Sequence, residues 1–208
     1  SGEIFGFLGP SGAGKSTTQK VLIGLLRSYA GSAKVLGREL KTASRDLYED
    51  IGVAFEFPNF YAKLTAEENL RLFASLYDGR RPIDPRPILE RLGLLPDLRK
   101  KVSDYSKGMK MRLNFCRALM HDPAVLFLDE PTSGLDPANA RILKDMVLEA
   151  KGAGKAVFLT THDMHLAEEL CDRLAFIVNG TLVLLDDPRS LKLRYGKNTV
   201  RVEYETSE

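Results

Sequence analysis

Apolar residues along this chain come in two alternating patterns. Short, nearly unbroken apolar runs are separated by longer stretches in which apolar residues recur every three or four positions. This is the pattern of an α/β chain built on a largely parallel sheet. Ile4 to Leu8 reads as a buried strand running into a glycine-rich turn. A helix is expected from about Lys15, carrying Val21, Leu22, Leu25 and Leu26 inward. Ile51 to Phe55 is a second strand, followed by an irregular Phe57-Pro58-Asn59 segment that Pro58 keeps out of a helix. Helical spacing then runs from Thr65 to about Gly93, broken by Gly79, Pro82, Pro85 and Pro87. Residues 65–104 are therefore read as a small helical subdomain set into a core of residues 1–64 and 105–208. A helix is expected from Ser106 to about Met120, with Met111, Phe115 and Leu119 on one face. Val125 to Leu128 and Ala156 to Thr160 are apolar strands, joined by a crossover helix, Ala138 to Ala150, that follows Pro137. Leu174 to Val178 and Leu182 to Leu185 flank Asn179-Gly180, a tight-hairpin signal. Thr199 to Tyr204 alternates as a half-buried strand does.

Composition narrows the class. The chain has 208 residues, 44% of them hydrophobic, with 30 Lys plus Arg against 28 Asp plus Glu and a net charge of +2. These values fit one globular domain and exclude a disordered chain. A nearly balanced charge gives no electrostatic case for a nucleic-acid partner. Cys116 and Cys171 are too few for a disulfide scaffold or a four-ligand zinc site and fit a reducing compartment. Cys116 lies on the helical stripe beside Phe115 and Leu119 and is read as core. No apolar stretch is long enough to span a membrane and no secretory signal opens the chain, so a soluble protein is expected, its membrane role arising through a partner.

Candidate chemistry begins at Gly9-Pro10-Ser11-Gly12-Ala13-Gly14-Lys15-Ser16, which matches the phosphate-loop pattern GxxxxGK[ST] between a strand and a helix. Glycines let the backbone curl so that amide N–H groups point at phosphate oxygens, and the helix turns its positive end toward the same charges. Lys15 is expected at the β and γ phosphates, Ser16 on Mg²⁺, and Thr17 as a weaker phosphate contact. The plain alternative is a glycine turn with a solvated lysine. It does not account for the strand before the loop or the helix after it.

A second cluster closes the strand Val125 to Leu128 with Asp129 and Glu130. Ligands of parallel α/β sheets bind beyond the carboxyl ends of the strands. Asp129 is thus placed to hold Mg²⁺ and Glu130 to polarise a water aimed at the γ phosphate. Taken with Tyr105-Ser106-Lys107-Gly108-Met109, Ser133-Gly134-Leu135-Asp136 and Thr160-Thr161-His162-Asp163, in this order, these residues resemble the nucleotide-binding domain of an ATP-binding cassette (ABC) transporter. The likeness covers essentially the whole chain and is nearest to bacterial antibiotic and multidrug export ATPases.

The resemblance implies roles the residues alone do not. Ser106 and Gly108 match the signature that faces the γ phosphate of a partner subunit, two domains sandwiching two ATP molecules; read by itself, Ser106 is a helix cap. Asp136 matches the loop that couples the two sites, and His162 the histidine that contacts the γ phosphate. His121 and His165 are read as structural. Glu56 stands where the family has glutamine, the residue that helps hold Mg²⁺ and moves with the permease. Its carboxylate is expected to bring a further charge close to Asp129 and Glu130. Lys107 replaces a signature glycine and is expected to point to solvent; Met109 replaces the usual glutamine. Only Ser1 to Leu8 precede the phosphate loop, where the family has further strands and an aromatic shelf for adenine; the chain is read as a fragment, the alternative being a domain that lacks that shelf.

The expected fold is an α/β phosphate-loop core with a mainly parallel sheet, a helical subdomain and an incomplete antiparallel portion at its N-terminus. The expected function is ATP binding and hydrolysis powering an export permease of the drug or antibiotic type. The cofactors are ATP and Mg²⁺; the partners are a second ABC ATPase domain, as a homodimer, and the permease, which holds the protein on the inner face of the membrane. Phe57, Phe60 and Tyr61 are candidates either for an apolar socket toward the permease or for ordinary packing. Three rivals stand against this reading. A soluble ABC ATPase without a permease usually carries a coiled-coil insertion or a second cassette, and this chain has neither. A small P-loop kinase leaves Ser106, Asp136 and His162 unexplained, and Glu130 argues against a regulatory domain with weak hydrolysis.

Overall fold

A computed structural model describes residues 2–77 and 84–195. The expected strand Thr199 to Tyr204 lies outside them. Six strands form the main sheet: β1 (Ile4–Leu8), β4 (Ile51–Ala54), β5 (Val125–Asp129), β6 (Ala156–Thr161), β7 (Arg173–Val178) and β8 (Thr181–Asp186), in the order β4-β5-β6-β1-β7-β8. All neighbouring pairs are parallel except β7 and β8. That last pair is the expected hairpin, turned by Asn179 at φ 50° and Gly180 at φ 75°, the left-handed pair a two-residue turn demands. A second hairpin, β2 (Lys34–Val35) with β3 (Arg38–Glu39), turns at Leu36 and Gly37. It was not expected, because strands of two residues carry no readable alternation.

Strand alternation splits the core into two layers. Ile4, Leu8, Leu126, Leu128, Val157, Leu159 and Leu174 belong to one large cluster with helices α5 (Lys107–Leu119), α6 (Pro137–Gly152) and α7 (Met164–Leu170). Phe127 packs instead with Ile23, Leu40, Leu47 and Ile51, and Phe7 with Ala13, Ala175 and Ile177, on the side of α1 (Lys15–Leu22). Burying both faces is what lets a parallel sheet consist of unbroken apolar runs.

Helix ends explain where the expectations held and failed. Asp136 caps α6 before Pro137, its carboxylate accepting the Asn139 N–H. Thr65 and Glu68 form a reciprocal capping box at α3 (Ala66–Ala74), two orphan amides satisfied at once. In α1 the expectation fails. Gly24 adopts φ 74° and ends the helix, so Leu25 and Leu26 turn outward, 61% and 37% exposed. Their place inside is taken by Ile23. The short α2 (Leu47–Asp50), α4 (Arg86–Arg91) and α8 (Pro188–Tyr195) complete the described α-helices.

Candidate nucleotide site

Three neighbouring strands, β5, β6 and β1, end at the same edge of the sheet. Register sets Asp129 beside Thr160 and Leu8 beside Thr161, so the next residues in each strand, Glu130, His162 and Gly9, leave that edge together. The loop after β1 is shaped by close approach. A Cβ on Gly9 would stand 2.3 Å from the Ile177 carbonyl oxygen, and Gly14 caps α1 at φ 111°. Gly180 of the hairpin turn donates its N–H to Ala13 O at 2.9 Å, so β7 and β8 brace the loop. Lys15 is buried, its Nζ donating to Gly9 O at 2.7 Å and Pro10 O at 3.2 Å. The ammonium thus closes the loop on itself.

The acidic pair is equally tied down. Ser16 donates to Asp129 Oδ2 at 3.4 Å, and Thr160 donates to Asp129 Oδ1. Glu130 is 8% exposed and holds φ 47°, a left-handed backbone that is unusual for a side chain of this size and that clusters at functional sites. Its N–H donates to Thr160 O at 2.9 Å, and its carbonyl accepts from Ser133 N at 3.0 Å. Its Oε1 lies 2.7 Å from His162 Nδ1, and its Oε2 accepts the Thr161 hydroxyl at 3.0 Å. Thr160 and Thr161 are fully buried. Neither threonine is expected at the site from the sequence, where the signal for them is a pair of hydroxyls closing an apolar strand.

The remaining candidates surround this edge. Glu56 follows β4 two residues after Ala54, whose partner Leu128 is two residues before Glu130. Its loop is clamped from α5. Asn114 donates to Phe55 O at 2.8 Å, and Arg117 donates to Asn114 Oδ1 at 2.7 Å and to Val53 O and Asn59 O at 3.4 Å. The Arg117 guanidinium also stacks over Phe60 and Phe73, 5.3 and 4.7 Å from the ring centroids, so Phe60 is packed. Phe57 and Tyr61 are open, 73% and 60% exposed. Neither Asn114 nor Arg117 was singled out from the sequence. His121 is buried, bonded to Ile51 O and stacked on Tyr77, whereas His165 is exposed.

Ser106 caps α5, accepting the Met109 N–H at 3.1 Å. Asn114 reaches the carboxyl end of β4 and His121 its start, so α5 runs antiparallel to that strand. Ser106 is eight residues before Asn114 and, at about 1.5 Å per residue, stands about 12 Å beyond the sheet edge. Gly108 abuts Gly134 O and the Leu135 side chain, and Lys107 is exposed, as expected, with its stem alongside Gly134. Burial pushes the Cys116 and Cys171 thiols up to about 12. Backbone and side-chain bonds from Asn139 hold the Asp136 carboxyl below its ordinary range.

Comparison with known proteins decides the family. The profile described as ABC transporter matches residues 1–133. The chain belongs to the ABC transporter family. It is 59% identical over 203 residues to the fluoroquinolones export ATP-binding protein of Mycobacterium tuberculosis (strain H37Rv), covering 98% of this chain and 67% of that protein. It is 41% identical over 194 residues to the Nod factor export ATP-binding protein I of Burkholderia pseudomallei (strain K96243), covering 91% and 64%. The chain thus spans about two thirds of the length of these relatives. A solved ATP-binding subunit of an ABC transporter superposes with a TM-score of 0.85 at 31% identity, over 94% of this chain and 82% of that one. This ABC domain binds nucleotide and belongs with the ATPases of its family. Among the described residues, no helix is long and apolar enough to cross a membrane.

Proposed function

We propose that this chain is the ATP-hydrolysing subunit of an export system for drug-type compounds, acting with a membrane permease and with a second ABC ATPase domain. The permease holds it on the inner face of the membrane. One observation carries the reading: adjacent strand ends bring the phosphate loop, Asp129-Glu130 and His162 to one edge, with Ser16 bonded to Asp129 and Glu130 to His162. The export names of two relatives support the direction of transport, and the fluoroquinolones in the name of one support the substrate class.

In this reading the amides of residues 9–17 and Lys15 take the ATP phosphates, Lys15 exchanging the Gly9 and Pro10 carbonyls for phosphate oxygens. Glu130 accepts a proton from the attacking water, and His162 faces the γ phosphate. Ser16, Asp129 and Glu56 are the oxygen donors for Mg²⁺, which when bound neutralises charge on the phosphates. A set with so few protein ligands suits Mg²⁺, which keeps water and substrate phosphate in its shell; among the described residues no group of three or more His, Cys, Asp or Glu converges on a metal. Ser106 and Gly108, standing off the edge at a helix N-terminus, face the ATP of the second domain, and Asp136 links the two sites. The test is light scattering of the purified chain and of Glu130→Gln. A dimer that forms only with ATP and only in the variant is expected. A variant that binds ATP and turns it over at the wild-type rate refutes the assignment of Glu130.

A further inference from the structure

We propose that Thr161 is a positioning residue for hydrolysis: its hydroxyl keeps the Glu130 carboxylate aimed when His162 turns to the phosphate. The inference rests on the role of Glu130 proposed above. Main-chain bonds at Glu130 N and O fix where its side chain leaves the backbone. They do not fix the carboxylate, which stands at the end of three rotatable bonds. Two contacts hold that end, His162 at Oε1 and Thr161 at Oε2.

The two contacts differ in kind. The His162 side chain is 68% exposed, and a ring drawn to a phosphate exchanges one acidic partner for another. Thr161 has no such freedom. It is the last residue of β6, is fully buried and is paired in register with Leu8 of β1. Its hydroxyl oxygen accepts the Asp163 N–H at 3.0 Å, which directs its single proton at Glu130 Oε2. Asp163 is itself fixed, its carboxylate capping α7 through His165 N at 2.8 Å and Leu166 N at 3.3 Å. Strand, turn and helix cap therefore set the direction of one hydrogen bond. A carboxylate held through Oε2 presents Oε1 to whatever replaces His162, and the water to be deprotonated is the group expected there.

The experiment measures steady-state ATP turnover by the full chain with Mg²⁺, in a double-mutant cycle. Thr161→Val keeps the β-branched shape and removes the hydrogen bond. A bond to a charged group lost from the reacting state lowers kcat by about 10- to 100-fold, while KM for ATP stays within about twofold because the phosphate loop is untouched. Thr161→Ser restores kcat to within about threefold of wild type. In the Glu130→Gln background Thr161→Val changes the residual rate by less than about twofold, since its effect passes through Glu130. A residue that merely supports the fold would lower both backgrounds alike, and that result overturns the proposal. So does an unchanged kcat in Thr161→Val. Wild-type turnover by Glu130→Gln alone refutes the base assignment instead, and is told apart by that single variant. Should the valine variant fold poorly, Thr161→Ala in the same cycle carries the same expectation.

Discussion

Gln19 sits one helical turn beyond Lys15 and one before Ile23, on the face of α1 that packs against the sheet. All three are buried, and Gln19 is only 1% exposed. Among the described residues, neither its Oε1 nor its Nε2 has a hydrogen-bond partner. A buried, unpaired polar group costs about 1–3 kcal/mol. Methionine has nearly the same length and helix propensity as glutamine and no polar end to satisfy. Gln19→Met is therefore expected to stabilise the domain by about 1–3 kcal/mol. For a domain of this size that corresponds to a rise in Tm of about 3–9 °C and, at an m-value of about 3 kcal/mol/M, in the urea midpoint of about 0.3–1 M. Urea unfolding followed by circular dichroism measures it directly. Affinity for a fluorescent ATP analogue should stay within about twofold, because Lys15 and the loop amides meet the phosphates and Gln19 does not. A variant less stable than wild type by about 1 kcal/mol or more refutes the reasoning, since the amide would then be making bonds worth keeping.

Three further outcomes follow from the same geometry. Gly9→Ala drives a Cβ to 2.3 Å from the Ile177 carbonyl oxygen. It is expected to cost about 1–3 kcal/mol and to weaken binding of a fluorescent ATP analogue at least tenfold, read by equilibrium titration. Asn114→Leu strips the Phe55 carbonyl and Arg117 of a fully buried partner, with an expected loss of about 2–4 kcal/mol in urea unfolding. Cys116 and Cys171, both buried and pushed to about 12, should resist iodoacetamide at pH 8 in the folded chain and react in denaturant, as mass spectrometry would show.

Several features were legible because they are local. All six strands of the main sheet could be read from apolar runs, and the Asn179-Gly180 turn from its dipeptide. Helix α5 begins directly after its cap, Ser106, close to where it is expected, because a capping hydroxyl announces itself in the sequence. Other features were misread or missed because they depend on what lies nearby in space. Leu25 and Leu26 continue a helical spacing that Gly24 cuts off, and no periodicity shows which of the two signals prevails. Helix α7 has its capping Asp163 and buried Leu166, Ala167 and Leu170, a signal present in the sequence but hidden behind the more conspicuous His162.

The order of residues alone supplies the chemistry available to this protein: a phosphate-cradling loop, a lysine, an acidic pair at a strand end and a histidine after another strand. It could do so because each is a short motif whose residue types suit a phosphate or a proton. Which groups serve one another is settled by the folded chain. Strand order and register bring Thr161 to Glu130 and Thr160 to Asp129 across 31 residues of sequence, and the hairpin to the back of the phosphate loop. They also set Asn114 and Arg117 against the loop of Glu56. Such pairings arise from the stacking of strands into one sheet and of helices on its faces, a global property that no single segment encodes.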